Sequence, residues 1–176
     1  GSSPIGTGGG MSGLLAAVDV TTLGDQALVE QVALAERLAA WTVAVQHQAM
    51  VELARRPLRL DGAGPDDPQT AAGYAPAGEQ AREYLADELA PRLRSTGRAV
   101  QWRIDLACTL TRRLPRTRDA LAAGLIDLAR AKVMERETAV LTDAQARKVD
   151  QRYADRITRL TPGRLRRAVR TTVLTI

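Results

Sequence analysis

The strongest constraint on the fold is the stretch of 31 residues from 101 to 131, which contains two signals for ending a helix. Pro115 has no amide hydrogen and disfavours helical geometry in the preceding residue, so we expect a helix from about Arg98 to end at Leu114. A short helix should follow from Arg116. Gly124 tolerates the left-handed turn that closes such a helix, so we expect the short helix to end there.

The residues after Gly124 open a third helix. The carboxylate of Asp127 can accept the amide hydrogens that a first helical turn leaves free, and the helical pattern continues to about Leu141. Leu125 and Ile126 are apolar and are predicted to point into the core. A short helix, a glycine turn and a longer helix form the outline of a helix-turn-helix, which the sequence places near residues 116–141.

A long helix is predicted from about Thr22 to Arg56. One side of it, with three- and four-residue spacing, is expected to face the core. A second apolar stripe leaves the middle of the helix apolar most of the way round, so the helix is either buried within the domain or paired with a second copy. The expected core-facing residues are Leu28, Val32, Ala35, Leu38, Ala39, Thr42, Val45, Ala49 and Leu53.

The remaining segments complete an all-α pattern of about seven helices. Residues 57–78 contain four prolines and four glycines, which predicts a flexible surface loop. Thr142 and Gln145 form a capping box that opens a helix expected to run to about Leu160, and Pro162 opens the last helix. We expect residues 11–176 to form a single helical domain, and residues 1–10, which lack any periodicity, to be an artificial leader.

Composition excludes several classes of protein. Cys108 is the only cysteine, so no disulfide framework or cysteine-built metal site is available within one chain. No apolar run approaches the length of a membrane span and no signal peptide is recognisable, so we expect a cytoplasmic protein that does not bind a membrane.

Enzymatic chemistry is not expected. His47 is the only histidine, and the chain has no phosphate-binding loop or nucleophile elbow. We therefore predict no catalytic residues, no metal, no cofactor and no small-molecule substrate. His47 is expected to be a polar residue at the surface or at an interface.

Charge is distributed unevenly along the chain. Up to Pro91 there are 5 arginines against 12 acids, whereas from Arg92 onward there are 20 basic residues against 8 acids. Such a split predicts a positive face for an anionic partner, or two halves that attract each other. DNA is the partner that we expect, and its candidate ligands are Arg116, Arg118, Arg130, Lys132, Lys148, Arg152, Arg156, Arg159, Arg164, Arg166, Arg167 and Arg170.

Two arrangements of these cations are predicted. Lys148, Arg152, Arg156 and Arg159 recur at spacings that place them on one helical face, where Asp155 could neutralise part of their charge. In the helix-turn-helix outline, the start of the second helix would meet the major groove. The residues there are Leu128, Arg130, Ala131 and Met134, with Arg130 and Lys132 as the expected base readers.

The same motifs resemble the actinobacterial thirteen-E-twelve repeat family, a domain of unknown function. The resemblance is carried by Leu114 and Pro115, Ala120 to Gly124, Asp127 to Lys132, and Leu160 to Pro162 with Leu165 and Arg166. Family members usually continue into an HNH endonuclease module, which implies a role in handling DNA. Since this sequence stops at Ile176, the expected role is non-catalytic DNA binding or positioning.

An alternative needs no nucleic acid. The helix at 22–56 is apolar on more than one side, and it could join two copies of the chain or bind another protein. In that case the chain would be a helical oligomerisation domain, most simply a homodimer.

Overall fold

The computed structural model describes residues 19–56, 58–59, 74–75 and 79–176, and these residues confirm the all-α prediction. A one-turn 3-10 helix, Val20–Thr22, precedes the first α-helix, and the short strands β1 (Leu58–Arg59) and β2 (Tyr74–Ala75) pair antiparallel. The predicted leader at 1–10 and most of the predicted loop at 57–78 lie outside the described residues. The α-helices are α1 (Asp25–Arg55), α2 (Glu79–Arg92), α3 (Gly97–Arg113), α4 (Pro115–Ala122), α5 (Leu128–Thr138), α6 (Asp143–Tyr153) and α7 (Pro162–Val173).

The helix ends around the glycine turn follow the sequence signals. Pro115 is the first residue of α4, and the carboxylate of Asp127 accepts the amide hydrogen of Arg130 at 2.8 Å, which caps α5. Gly124 has φ +66°, and a Cβ built on it would lie 3.0 Å from the carbonyl oxygen of Arg37. Glycine is therefore required both for the turn and for the close approach of α1. The prediction for Leu125 was wrong, since this side chain is 61% exposed.

A buried carboxylate fixes the start of α4. Leu114 occupies the N-cap position and offers no side-chain hydrogen bond. Asp150 of α6 supplies the missing acceptor: Oδ2 accepts the amide of Arg116 at 2.7 Å, and Oδ1 accepts the amide of Thr117 at 3.0 Å and its hydroxyl at 2.6 Å. Burial raises the pKa of the Asp150 carboxyl, while these hydrogen bonds lower it. The bonds hold α4 and α6 in a fixed relation.

Helix α3 joins two hydrophobic clusters. Leu106 and Leu110 of α3 pack in the larger cluster, which is built mainly from α4 to α7. Val100 and Ile104 pack in the smaller cluster with the C-terminal part of α1 and with α2. Because both clusters share α3, the acidic N-terminal half and the basic C-terminal half are packed on one central helix.

The predicted core face of α1 was wrong. Val32 and Val45 are exposed, whereas the buried residues of α1 are Ala40, Ala44, His47, Met50 and Val51. The buried face therefore carries two small side chains, Ala40 and Ala44, followed by the larger His47, Met50 and Val51. No residue from 25 to 39 is buried; we call this segment the α1 arm, and its C-terminal end contacts the α4–α5 turn through Arg37.

Helix α6 is shorter than predicted. It ends at Tyr153, and residues 154–160 form turns with i to i+3 hydrogen bonds, such as that from the Arg159 amide to the Arg156 carbonyl at 3.1 Å. Ile157 remains buried, and its amide donates to the carbonyl of Tyr153 at 2.8 Å, which keeps the α-helical spacing of four residues between these two buried side chains. Lys148 and Arg152 lie on the exposed side of α6, whereas Arg156 and Arg159 lie exposed in the turns that follow it.

We expect Asp150→Ala to lower the free energy of unfolding by about 3 kcal/mol, because one part-buried and two buried donors lose their acceptor. Asp150→Asn should cost about half as much, since one amide oxygen remains as an acceptor. Urea unfolding checks both values. Asp155→Asn, at an exposed position nearby, should change stability by less than about 0.5 kcal/mol. An Asp150→Ala protein as stable as this control would contradict the assignment.

Candidate nucleic-acid interface

Arg130, the first expected base reader, is held inside the protein. Its Nε donates to the carbonyl of Leu160 at 2.8 Å, and its Nη1 lies 2.6 Å from Oδ2 of Asp127. Only 22% of its side chain is exposed. Arg130 therefore links the start of α5 to the turn before α7, and its guanidinium is not free to reach a base edge.

Two other residues of α5 that were expected in the groove are also unavailable. Ala131 and Met134 are fully buried, which contradicts their expected position in a groove. The physical reason is that α5 packs against α7 on one side and against α3 and α4 on others, so only a narrow stripe faces solvent. Lys132 is exposed, and its ammonium lies 4.5 Å from the centre of the Trp102 ring, within the range of a cation–π contact.

The two candidate arginines of α4 also bond within the chain. Arg116 donates from Nε to Oε1 of Gln151 at 3.0 Å, and Arg118 donates from Nη2 to Oδ1 of Asp119 at 2.7 Å. The helix-turn-helix element thus presents cations that are already engaged. It is better suited to a structural role than to reading bases.

Helix α7 separates its basic residues into two groups. Arg166 is paired with Glu137 of α5 at 3.0 Å. The buried side of α7 is formed by Leu165, Val169 and Thr172. The exposed guanidinium groups of Arg164, Arg167 and Arg170 have no acid within 4 Å among the described residues.

The seven exposed cations between residues 148 and 170 that have no ion pair among the described residues define what we call the C-terminal basic surface. Four of them precede α7, on α6 and in the turns that follow it. One of these, Arg156, lies 5.2 Å from the centre of the Tyr153 ring. The members are Lys148, Arg152, Arg156, Arg159, Arg164, Arg167 and Arg170.

Acidic residues offset little of this charge. From residue 143 to 176 the chain has only three acids. Asp143 pairs with Arg112 and Arg113 at 3.2 and 3.1 Å, and Asp150 is buried against α4. Asp155 is exposed, and the expected pairing of Asp155 with its neighbouring arginines is absent among the described residues. The positive charge of this surface is therefore left for solvent or for an anion.

His47 is buried within the chain, contrary to the surface or interface position expected, and only 7% of it is exposed. Burial and the nearby charge of Arg103 lower the pKa of His47 to about 4, so the imidazole is neutral at neutral pH. In the described ranges no group of three or more His, Cys, Asp or Glu side chains is placed to hold a metal ion. Within those same ranges, no helix has the length and apolar character needed to span a bilayer.

Comparison with known proteins places most of the chain in one family model. Residues 25–176 match the model described as "Domain of unknown function (DUF222)". Neither the curated proteins nor the solved structures contain a match.

The roles assigned to the arginines predict a difference in stability. Arg130→Ala should lower the free energy of unfolding by about 2 kcal/mol, because Asp127 and the Leu160 carbonyl lose a charged donor. Arg167→Ala, which removes an exposed cation, should change it by less than about 0.5 kcal/mol. Thermal and urea unfolding measure both. Equal effects of the two substitutions would show that Arg130 is not a structural residue.

Proposed function

This chain belongs to the DUF222 family, a domain of unknown function, and we propose that it binds double-stranded DNA through the phosphate backbone without catalysing a reaction. The observation that carries the proposal is the C-terminal basic surface, whose seven cations have no acidic partner among the described residues. Six of the seven are arginines, and the planar guanidinium group can bind a phosphate through two hydrogen bonds.

The proposed contact surface differs from the one that the helix-turn-helix outline suggested. Arg116, Arg118 and Arg130 bond to other groups of the chain, so we assign DNA binding to α6, residues 154–160 and α7. Contacts to phosphate position a protein on the duplex but carry no direct sequence information. We therefore propose binding that is largely independent of sequence and strongly dependent on salt.

The resemblance noted from the motifs suggests a context for this binding. We propose that the chain is of the thirteen-E-twelve repeat type, whose members usually continue into an HNH endonuclease module. In such an arrangement the helical domain would hold the duplex and the neighbouring module would cut it. The support for a holding role is the charge of the C-terminal basic surface.

DNA binding can be measured by fluorescence anisotropy with a labelled duplex at 50 mM salt. We expect binding that weakens by about 10³-fold or more between 50 and 200 mM salt, as for a protein with six or more phosphate contacts. The triple variant Arg152→Ala, Arg167→Ala, Arg170→Ala should reduce the slope of log affinity against log salt by about 2.7, because each phosphate contact contributes about 0.9.

A matched control removes the same charge elsewhere. Arg56 and Arg92 are exposed and pair with acids on their own helices, and Arg98 is exposed at the start of α3. Replacing these three by alanine should leave the salt slope within about 0.5 of the wild-type value. No binding at 50 mM salt, or equal losses in the two triple variants, would contradict the proposal.

The α1 arm favours a second candidate, a helical association domain. Val29 and Val32 are each 65% exposed. Val29 precedes buried Ala40 by three helical turns, so the arm continues the core-facing side of α1 beyond the core. Exposed apolar residues on such a continuation are suited to packing against a second α1 arm.

The second candidate predicts a dimer at micromolar concentration, measured by light scattering. The double variant Val29→Glu, Val32→Glu should be monomeric, because two charges would be buried at the helix–helix contact. The double variant Ala35→Glu, Ala49→Glu adds the same charge at other exposed positions of α1 and should remain dimeric. A monomeric wild-type protein would rule out this candidate and leave the DNA proposal unaffected.

A further inference from the structure

A cleft of about 360 Å³ lies between α1, α3 and α4, away from the C-terminal basic surface. We call it the α1–α3–α4 cleft. Its volume falls in the lower part of the range of small-molecule sites, about 300 to 1,000 Å³. The apolar part of its lining is formed by Ala44, Val51, Ala107, Leu110 and Leu121, all of which are buried. An apolar ligand body could therefore be shielded from water there.

His47 brings a polar group to this apolar lining. Burial and the charge of Arg103 lower the pKa of this imidazole, so it is neutral at neutral pH. A neutral imidazole has one donor and one acceptor nitrogen. A ligand atom in the cleft could therefore accept a hydrogen bond from His47 or donate one to it.

The charged residues around the cleft are not equally available. Glu52 pairs with Arg56 at 2.9 Å, and Asp119 pairs with Arg118 at 2.7 Å. Arg55 also lines the cleft and has no acid within 4 Å among the described residues. Since both carboxylates are already neutralised, the charge left over at the cleft is the positive charge of Arg55.

We propose that the α1–α3–α4 cleft binds a small organic anion. The apolar body of the ligand packs on the residues around Leu110, a polar atom bonds to His47, and a carboxylate or phosphate is held by Arg55. Carboxylates and phosphates both present two oxygen atoms that a guanidinium group can bind through two parallel hydrogen bonds. This site does not depend on DNA binding, because it uses none of the residues of the C-terminal basic surface.

The single histidine gives a direct probe of the site. Its imidazole resonances can be followed by nuclear magnetic resonance without ambiguity while benzoate or phenyl phosphate is added. We expect the His47 signals to shift and saturate at millimolar concentrations of at least one of the two anions, and the comparison between them identifies the preferred head group. Benzyl alcohol has the same ring without a charge, and its affinity should be lower by at least roughly tenfold.

Two exposed arginines, one at the cleft and one outside it, provide the matched variants. Arg55→Gln should weaken binding of the preferred anion roughly tenfold, as expected for loss of a charge-assisted hydrogen bond, and should leave benzyl alcohol unaffected. Arg98→Gln removes the same charge at an exposed position at the start of α3 that does not line the cleft, and should have little effect. The proposal is overturned if neither anion gives a saturable shift of His47, or if the two variants weaken binding equally.

Discussion

The arrangement of the C-terminal half depends on one contact, in which the carboxylate of Asp150, on α6, accepts hydrogen bonds from the first turn of α4. Leu114 provides no cap and Pro115 has no amide hydrogen, so the free amides of Arg116 and Thr117 need an acceptor from elsewhere in the chain. Asp150 supplies it from a position 34 residues after Arg116. A carboxylate that is 99% shielded from solvent would be costly without these donors, and α4 would lack a cap without the carboxylate. The two helices are therefore fixed together.

The sequence was sufficient to predict most helix ends, because capping depends on a few neighbouring residues. Asp127, Thr142 and Thr161 each accept an amide hydrogen three residues ahead, as their local patterns indicated. The buried side of α1 could not be predicted in the same way, since two apolar stripes compete and the choice depends on distant parts of the chain. Gly124, for example, approaches α1 at Arg37, a contact that no pattern within α1 indicates.

Local sequence patterns also failed to predict which charged residues of the candidate site are available to a ligand. Helical spacing identifies which arginines share a face, but an ion pair can be made by an acid or a carbonyl about thirty residues away. Arg130 bonds to the carbonyl of Leu160 and Arg166 to Glu137, so both serve the fold. Arg167 and Arg170 lie on the outer side of α7. No local pattern distinguishes the two groups, because the partners come from other helices.

The proposed function follows from the difference between cations that bond within the fold and cations that remain exposed. Acids and carbonyls hold the arginines that position α5 and α7, and the remaining cations on α6, in the following turns and on α7 are left to bind phosphate. The most direct measurement is a map of amide and arginine side-chain chemical-shift changes when a duplex is added at low salt. Our account predicts that the largest changes fall within residues 148–170. Changes centred on residues 116–138, or no changes at all, would contradict it.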